Sequence, residues 1–510
     1  MCGIAAIYGP HGAGETERML ERLVHRGPDD AGEARVDAAW LGHRRLSIVD
    51  VEGGRQPLAN SSRKLWLVGN GEVYNHEQVR ATLRPARFRT RSDNEVALHL
   101  VDERGPDALG ELEGMFAFLV AGEDGSFVAA RDAVGIKPLY WARRSDGVRF
   151  ASEIAAFSPE WMPHVEAFPP GCHWTPGGGV QRFASAVPES GEGAPLARAV
   201  WSDGAEPPEE ALEAMRGILV GSVRRQMMGD VPVGVFLSGG LDSAIVAAIA
   251  QRHLDADGER LQTFAVGTKR SPDLLAARVV ARHLGSEHHE RCYTAREAIR
   301  ALPDVVRAIE HFDPSLVRSA VPNYLLAEMT AEHVKVVLTG EGADELFAGY
   351  EYLREFADPA ALQRELMRTV HGLHNLNLQR CDRVTMAHGL EARVPFLDRQ
   401  VIAFAFGLPM AWKVTAPGEL EKRLLRRAFD GWLPEEILWR EKAQFGDGSG
   451  AADVLTTAVE DGVSRADFAR ERDVIDPPLR TREELAYHRI FAEHLPGVRP
   501  ELTLGRFATA

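Results

Sequence analysis

The sequence is poor in cysteine, has no excess of basic residues and contains no long hydrophobic segment. Its 4 cysteines form no Cys-x-x-Cys pair and no cluster with histidine at zinc spacing, which excludes a disulfide framework or a zinc module. Lys and Arg number 59 against 74 Asp and Glu, and the net charge of −15 disfavours binding to nucleic acid or to anionic membranes. No apolar run of about 18 residues and no basic, apolar leader occurs, so we expect a cytoplasmic protein that does not cross a membrane.

The composition is that of a globular protein with more than one domain. Hydrophobic residues make up 45% and charged residues 26% of the 510 positions, and a length of roughly 150 residues per domain predicts two to four domains. The stretch 187–209 is rich in Pro, Glu, Gly and Ser and has no hydrophobic periodicity, which is typical of a connection. We therefore predict a first domain over residues 2–185, a linker over 186–209 and a second domain over 210–510.

The two halves differ in their predicted secondary structure. In the first domain, β-branched and aromatic runs between turns predict strands at 4–8, 39–41, 65–68, 115–121 and 126–130. Helices are predicted there at 15–23 and 94–102, which together with the strands indicates an α+β domain with packed sheets. In the second domain, predicted helices at 208–227, 243–253 and 322–332 alternate with predicted strands at 231–237, 261–266 and 334–338. This alternation predicts an α/β fold with a doubly wound parallel sheet, followed by a helical C-terminal part.

Cys2 is a candidate nucleophile. It follows the initiator methionine, and removal of Met1 would leave a free α-amino group on the cysteine itself. An α-amine has a pKa of about 7.7–8.0, so it can act near neutral pH as a base for its own thiol. A cysteine at position 2 also arises by chance, so the motifs that follow decide how it is interpreted.

Four motifs follow Cys2: HRGPDD at 25–30, RRLSIVD at 44–50, GNGEVYN at 69–75 and RSDNE at 91–95. With Cys2 they resemble the class II glutamine amidotransferases, whose N-terminal cysteine hydrolyses glutamine. The resemblance implies an α/β/β/α sandwich of the N-terminal-nucleophile type. It implies that Asn70 and the N–H of Gly71 bind the oxyanion. It also implies that Arg45 grips the carboxylate of glutamine and that Glu72 and Asp93 face its ammonium group.

A glycine loop without a lysine follows the predicted strand at 231–237. The sequence LSGGLDS at 237–243, the first glycine loop, places small residues before a helix start, where backbone N–H groups and the helix dipole attract anions. No Gly-Lys-Ser/Thr follows, so this is not a Walker loop, and charge neutralisation is expected from a metal ion. The sequence TGEGADE at 339–345, the second glycine loop, ends the predicted strand at 334–338. Both loops are therefore expected at the carboxyl edge of the sheet.

The two glycine loops resemble the ATP-pyrophosphatase core of the asparagine synthetase family. Further runs at 264–267, 271–273, 283–285 and 391–398 extend the resemblance to the glutamine-hydrolysing B type of that family over about residues 2–450. The resemblance implies that MgATP adenylates the side-chain carboxylate of aspartate and that ammonia from glutamine then displaces AMP. It also implies a possible homodimer.

The resemblance assigns roles to individual residues of the second domain. Glu341 is the candidate base for the attacking ammonia, and Lys442 is the candidate cation for the phosphate charge. Asp242 and Asp344 are candidate magnesium ligands, and Ser315 and Arg318 are candidate aspartate ligands. ATP is expected to contact Leu237, Ser238, Gly239, Gly240, Asp242, Ser243, Val266, Thr339 and Gly340.

The acceptor of the amide nitrogen is where the sequence departs from the family pattern. Leu316 stands where the family has a second hydroxyl group, and Ala343 stands where it has a serine. A related amidating enzyme with another carboxylate acceptor therefore stays open. A β-lactam-synthetase-like enzyme is disfavoured by Cys2, Asn70 and Asp93, and a non-catalytic nucleotide-binding regulator by Cys2, Glu341 and Lys442.

Two further features have only a general interpretation at this level. Residues 115–118 and 393–397 are apolar enough to line a passage for ammonia between the domains, although a plain interdomain core explains them equally well. Cys172, Cys292 and Cys381 are expected to be buried small hydrophobic residues.

Overall fold

The computed structural model describes residues 2–84, 88–188, 206–269, 271–356, 358–414, 418–442, 455–456, 459–460 and 462–507. Among these residues, no helix is both long and apolar enough to cross a membrane. The predicted linker lies largely in 189–205, outside the described residues, so the domain boundary stays a prediction.

The first domain is built mainly of strands. They are β1 (Cys2–Tyr8), β2 (Asp30–Val36), β3 (Ala39–Arg45), β4 (Leu58–Ala59), β5 (Leu65–Val73), β6 (Gly114–Gly122), β7 (Phe127–Arg131), β8 (Tyr140–Arg144), β9 (Gly147–Ala151), β10 (Val165–Ala167), β11 (Cys172–Thr175) and β12 (Gly179–Arg182). Its helices are α1 (Glu15–Glu21), α2 (His76–Thr82) and α3 (Glu95–Arg104). Each strand and helix predicted here is present, with ends shifted by a few residues.

The strands form two antiparallel sheets that pack face to face. The sheet orders in the described chain are β10-β8-β9-β1-β3-β2 and β12-β11-β7-β6-β5-β4. In β1, Ile4 and Ala6 face the core between the sheets, whereas Ala5 and Ile7 face the outer layer that contains residues of α1. Residues of α2 and α3 cover the outer face of the other sheet, against Phe116 and Phe118. This is the expected α/β/β/α sandwich.

The second domain contains one sheet and most of the helices. Its strands are β13 (Val233–Phe236), β14 (Gln262–Gly267), β15 (Glu287–Cys292), β16 (Val336–Leu338) and β17 (Glu391–Arg393). Its helices are α4 (Glu209–Gln226), α5 (Leu241–Leu254), α6 (Pro272–Leu284), α7 (Ala295–Ile309), α8 (Pro314–Thr330), α9 (Ala343–Leu346), α10 (Pro359–Gly372), α11 (Asn377–Met386), α12 (Arg399–Gly407), α13 (Arg423–Ala428), α14 (Glu435–Leu438), α15 (Arg465–Glu471), α16 (Arg482–His494) and α17 (Pro500–Thr503).

The sheet of the second domain is parallel, with the order β15-β14-β13-β16-β17 in the described residues. The chain first builds outward from β13 to β14 and β15, and then returns to the other side of β13 with β16 and β17. The direction of building therefore reverses between β13 and β16, and ligands bind at such a switch point in open α/β sheets. The first glycine loop follows β13 and the second follows β16, so the fold brings the two predicted loops together.

Helix α8 differs from its prediction. The helix predicted at 322–332 is the second half of α8, which begins at Pro314 and ends at Thr330. The side chain of Asp313 accepts hydrogen bonds from the backbone N–H groups of Ser315 and Leu316, and Pro314 occupies the first helical position, where it loses no hydrogen bond. Consequently Ser315 and Arg318, the candidate aspartate ligands, lie on a rigid helix.

The three remaining cysteines and the apolar runs at 115–118 and 393–397 agree only in part with what the sequence predicts. Cys172 and Cys381 are buried as expected, but Cys292 is exposed because it ends β15, an edge strand of the parallel sheet. Met115 belongs to the hydrophobic cluster that runs from the first domain into the second and includes Phe396. The next residues of β6 face the other cores of the first domain, so the ammonia passage stays a prediction.

Candidate active sites

Cys2 lies at the start of β1, next to Arg45 and Asn70. In the antiparallel pair of β1 and β3, Cys2 is directly opposite Arg45. The main-chain nitrogen of Cys2 donates a hydrogen bond to Asn70 Oδ1 at 3.0 Å, and Arg26 Nε donates to the Cys2 carbonyl oxygen at 3.1 Å. Burial raises the pKa of the Cys2 thiol, with partial opposition from a backbone hydrogen bond from Leu46. The thiol therefore needs a base before it can act as a nucleophile.

Strand β5 supplies three of the predicted glutamine-site residues in succession, Asn70, Gly71 and Glu72. Gly71 has φ of 136°, and a Cβ atom at this position would lie 1.9 Å from the carbonyl oxygen of Met115 on β6. Only glycine fits this close approach. The amide nitrogen of Asn70 is buried and has no hydrogen-bond partner among the described residues. It is thus a free donor in the side chain that holds Cys2.

Glu72 and Asp93 form a buried acidic pair. Burial raises the pKa of the Glu72 carboxyl well above its usual range, and the charges of Glu391 and Asp93 raise it further. Burial also raises the pKa of Asp93, although its carboxylate accepts hydrogen bonds from the N–H of Val73 at 2.7 Å and from Asn94 Nδ2 at 3.0 Å. Arg393 Nη2 lies 3.6 Å from Glu72 Oε1. A bound cation would stabilise both carboxylates in their ionised form.

Arg45 lies at the site but is already partly engaged. Its Nη atoms donate hydrogen bonds to the backbone carbonyl groups of Val49, Asp50 and Val51, at 3.3, 2.8 and 2.9 Å. Of the five guanidinium N–H groups, two are left by these contacts for a carboxylate. The loop after β3 therefore fixes the orientation of Arg45.

A cavity of about 390 Å³ lies at the carboxyl edge of the parallel sheet. The predicted residues that line it are Ser238, Gly240, Asp242, Ser243, Ser315, Arg318, Thr339, Gly340, Glu341, Asp344 and Lys442. Leu237, Gly239 and Val266 are not among its lining residues. Leu237 and Val266 are almost fully buried at the ends of β13 and β14, and their nucleotide-binding roles stay predictions.

The two glycine loops lie against each other. A Cβ atom on Gly340 would lie 2.9 Å from Cβ of Asp242 and 3.0 Å from the backbone nitrogen of Ser243. The first glycine loop also lies against α6, since a Cβ atom on Gly239 would lie 2.6 Å from Cβ of Ala276. Within the first glycine loop, Ser243 Oγ lies 3.0 Å from Ser238 Oγ and accepts a hydrogen bond from the N–H of Ser238 at 3.2 Å. The cradle at the start of α5 is thus shaped before any anion binds.

Two carboxylates and two lysines meet between the glycine loops. Lys422 Nζ lies 2.6 Å from Asp242 Oδ2 and 2.5 Å from Asp344 Oδ1, and Lys442 also pairs with Asp344. Burial would lower the pKa of Lys422, but the Asp242 and Asp344 charges outweigh it and raise the pKa. Asp242 Oδ1 is buried without a hydrogen-bond partner among the described residues. Two carboxylates beside the glycine loop at the start of α5 are the kind of donor set that Mg²⁺ uses.

Glu341, the candidate base, is paired with Arg380 of α11. Burial raises the pKa of the Glu341 carboxyl, and the Arg380 charge opposes this shift. Arg380 Nη1 also donates to Ser319 Oγ of α8 at 2.9 Å. These contacts hold the Glu341 carboxylate at the cavity wall, close to α8, which carries the candidate aspartate ligands.

The two departures from the family pattern lie in the hydrophobic core. Leu316 and Ala343 are both fully buried in the largest apolar cluster, and neither lines the cavity. Their apolar side chains therefore pack against core residues rather than against a bound acceptor.

Several residues of these sites could not be predicted from local sequence motifs. Lys422, Arg380 and Glu483, which pairs with Arg318, come from segments far from the glycine loops and carry no motif of their own. Tyr350 had a usable signal, because it closely follows the second glycine loop in the sequence. Its hydroxyl donates to Glu345 Oε1 at 2.5 Å, and it lines the cavity.

The first domain has the fold of an N-terminal-nucleophile glutamine amidotransferase, and the second is an α/β domain with two glycine loops at the carboxyl edge of its parallel sheet. The family profile "Glutamine amidotransferase domain" matches residues 1–168, and the profile "Asparagine synthase" matches residues 214–360 and 354–500. A glutamine-hydrolyzing asparagine synthetase 3 of Arabidopsis thaliana is 39% identical and covers 97% of this chain and 88% of its own length. A probable glutamine-hydrolyzing asparagine synthetase of Schizosaccharomyces pombe is 38% identical, and the match covers 97% of this chain and 94% of the relative's own length. The chain therefore belongs to the family of glutamine-hydrolysing asparagine synthetases, which are ATP-dependent amide-forming ligases.

Proposed function

We propose that this protein converts aspartate to asparagine with ammonia that it releases from glutamine, at the expense of ATP. The observation that carries the proposal is that one cavity is lined by the first glycine loop, the candidate base Glu341 and the candidate carboxylate clamp Arg318. It is supported by a separate cysteine site in the first domain.

In the glutamine site, the proposed nucleophile is the Cys2 thiol and the proposed base is the α-amine of Cys2 after removal of Met1. The thiolate attacks the side-chain amide carbon of glutamine, ammonia leaves, and water hydrolyses the thioester to glutamate. Asn70 Nδ2, which has no partner in the described structure, and the N–H of Gly71 are the proposed oxyanion donors.

The same site would recognise free glutamine by its two charged groups. Glu72 and Asp93 are the proposed partners of the ammonium group, since a bound cation offsets the desolvation that raises the pKa of both carboxyls. The remaining N–H groups of Arg45 are the proposed partners of the carboxylate.

In the second domain, the two glycine loops are the proposed ATP site. Ser238, Gly239, Gly240 and Ser243 would bind the phosphates, and Asp242 and Asp344 would hold Mg²⁺, which supplies charge neutralisation at the phosphates. The unpartnered Asp242 Oδ1 supports this assignment. Lys442 would stabilise the negative charge that develops on the leaving pyrophosphate, and Leu237, Val266, Thr339 and Gly340 are proposed to surround the nucleoside.

The acceptor reaction is proposed to occur between α8 and the second glycine loop. Arg318 and Ser315 hold aspartate so that its side-chain carboxylate attacks the α-phosphate of ATP and pyrophosphate leaves. Ammonia then attacks the acyl-adenylate carbon, Glu341 takes a proton from the nitrogen, and AMP leaves. The pKa of Glu341, which burial raises, suits this role.

The test is a measurement of AMP and pyrophosphate formation with a panel of carboxylic acids as acceptors. We expect aspartate to stimulate both products, with either glutamine or ammonia as the nitrogen source. Stimulation by another acid but not by aspartate would overturn the proposed acceptor.

Two variants separate the two sites in the same assay. Cys2→Ala should abolish glutamine-dependent synthesis and leave ammonia-dependent synthesis intact. Glu341→Ala should reduce synthesis from either nitrogen source at least about a hundredfold and leave glutamine hydrolysis intact. Persistence of glutamine-dependent synthesis in the first variant, or of synthesis in the second, would contradict the assigned roles.

Three coarser features complete the proposal. We place the domain boundary in 186–209, between the segments matched by the two family profiles. A cytoplasmic location is supported by the absence of disulfides among the 4 cysteines. A homodimer is proposed from the family resemblance, and light scattering on the purified protein tests it.

A further inference from the structure

The guanidinium group of Arg318 is held by a buried carboxylate from the C-terminal part of the chain. Arg318 Nε donates to Glu483 Oε1 at 3.0 Å, and Nη2 donates to Glu483 Oε2. Glu483 lies in the first turn of α16, and its side chain is 1% exposed. Two parallel N–H···O bonds between Arg and a carboxylate fix the plane of the guanidinium as well as its position.

Glu483 is itself fixed from its other side. The hydroxyl of Tyr487, one turn further along α16, donates to Glu483 Oε1 at 2.8 Å. Thr456 Oγ1 is 3.4 Å from both carboxylate oxygens. These hydroxyl groups take up part of the negative charge of Glu483, so the charge of Arg318 is only partly neutralised.

The pair is oriented with the arginine toward the cavity. Arg318 lines the cavity and its side chain is 26% exposed, whereas Glu483 does not line it. Two of the five guanidinium N–H groups are bound to Glu483, which leaves the donors on the other edge for a ligand. An anion in the cavity can therefore reach the N–H groups of Arg318 that do not bind Glu483, while Glu483 itself lies outside the cavity lining.

We propose that Glu483 is a positioning residue for the acceptor, and the proposal rests on the proposed function. Glu483 fixes Arg318 so that its free N–H groups meet the α-carboxylate of aspartate. The spacing of the two carboxylates in aspartate then decides where the reacting side-chain oxygen lies relative to the α-phosphate of ATP. Without this contact, Arg318 would populate several rotamers. It would then bind the same carboxylate in several positions, only some of which allow reaction.

The arrangement also defines the acceptor class. The acceptor needs a second carboxylate in addition to the one that reacts, and the fixed position of Arg318 sets the distance between the two. Helix α16, which lies in the C-terminal part of the chain and contributes no residue to the glycine loops, is thereby part of the acceptor site.

The experiment uses the full-length enzyme with ammonia as the nitrogen source and pyrophosphate release as the signal. Glu483→Gln keeps the size of the side chain but turns one of its acceptors into a donor that faces Arg318. We expect the KM for aspartate to rise about tenfold or more and kcat to fall. The KM for ATP and the rate of glutamine hydrolysis should stay within about twofold of wild type.

A double-mutant cycle separates positioning from a merely structural role. Arg318→Lys keeps the charge but loses the fork of N–H groups, so it should raise the KM for aspartate by itself. If Glu483 acts through Arg318, adding Glu483→Gln to Arg318→Lys causes little further change in that KM. Additive effects of the two substitutions, or equal increases in the KM values for aspartate and ATP, would overturn the proposal.

The control is Glu460→Gln. Glu460 pairs at 2.7 Å with Arg482, the first residue of α16, and neither residue lines the cavity. This variant should leave the KM for aspartate unchanged and show no coupling to Arg318→Lys. If Glu483→Gln does not fold, Glu483→Asp keeps the charge and pulls Arg318 back by one methylene group, and the same rise in KM is expected.

Failure of the proposed function can be distinguished from failure of the role of Glu483. In the first case, pyrophosphate release by the wild-type enzyme does not respond to aspartate. The acid that the acceptor panel then identifies replaces aspartate in the same cycle, and an unchanged KM for that acid in Glu483→Gln would overturn the role of Glu483.

Discussion

Buried lysines in this protein differ in whether a carboxylate lies within reach. Lys422 contacts Asp242 and Asp344, and its charge is thereby retained. Lys413 is 4% exposed, its Nζ has no hydrogen-bond partner among the described residues, and the ring centroid of Phe406 is 5.0 Å away. Burial lowers the pKa of Lys413 to about 7. Lys413 is therefore a source of instability that depends on pH.

We predict that Lys413→Met stabilises the protein, and more so at low pH. The unfolded chain keeps this proton up to its ordinary pKa of 10.5, so between pH 7 and 10.5 the folded state binds fewer protons and stability rises with pH. Removing the amine should raise the free energy of unfolding by up to about 5 kcal/mol below pH 7, and by about 2 kcal/mol at pH 9. Denaturant unfolding at several pH values measures this.

The matched control is Lys64→Met, because Lys64 is exposed. It should change the free energy of unfolding by no more than about 0.5 kcal/mol at any pH. A gain from Lys413→Met that does not vary with pH would show that Lys413 is not titrating in the folded protein.

At the scale of secondary-structure elements, the pairing of β5 with β6 sets the geometry of the glutamine site. Gly71 is opposite Phe116 in this antiparallel pair. The same register fixes the positions of the flanking residues Asn70 and Glu72. Any side chain at 71 would meet the carbonyl oxygen of Met115. Displacement of β5 would therefore move both the proposed oxyanion donors and Glu72 of the acidic pair.

Gly71→Ala is expected to separate the two activities. The displaced strand should lower glutamine-dependent synthesis at least about a hundredfold and the free energy of unfolding by about 3 kcal/mol, while ammonia-dependent synthesis persists. Gly217→Ala in α4 is the control, since a Cβ atom there meets nothing within 4 Å and should add about 0.5–1 kcal/mol of stability. Equal loss of both activities in Gly71→Ala would contradict the local effect.

Most elements could be predicted because their signals are local. Runs of β-branched and aromatic residues between turns predicted β1 and β5, and the glycine loops were found from short motifs at strand ends. The start of α8 was missed because Pro322 is compatible with a helix start, whereas the fold accommodates it inside the helix. Strand β17 has three residues, Glu391–Arg393, and pairs with β16. Such a short strand exists only because its neighbour is there.

At the scale of the whole molecule, a buried ionic network joins the two domains. Arg26 donates to both carboxylate oxygens of Asp382 on α11, at 2.8 and 3.2 Å, and to Glu153 at 2.7 Å. Arg383 extends the network to Glu153 at 2.7 Å and to Glu310 at 3.0 Å. Because Arg26 also holds the Cys2 carbonyl, the glutamine site and helix α11 share this network.

Asp382→Asn should therefore lower the free energy of unfolding. It leaves the fully buried Arg26 with too little opposite charge, and breaking a buried pair of this kind costs about 3–5 kcal/mol of the free energy of unfolding. We also expect slower glutamine hydrolysis, since Arg26 loses its bidentate partner. Denaturant unfolding and a glutaminase assay measure the two effects.

An exposed pair across the same two domains provides the control. Lys335 and Asp29 lie 2.6 Å apart, but their side chains are 39% and 28% exposed, so Lys335→Met should cost no more than about 1 kcal/mol. If Asp382→Asn costs no more than Lys335→Met, the buried network does not hold the domains together.

The sequence by itself determined the two-domain class, the candidate nucleophile and the residues of the glycine loops, because each of these depends on neighbours a few positions apart. The tertiary structure alone decided which charges meet. Arg26 and Asp382 are 356 positions apart, and Arg318 and Glu483 are 165 apart. A charged residue without its partner is indistinguishable in sequence from one on the surface. Desolvation on folding is what makes such pairs important, since a buried charge without a partner destabilises the folded state.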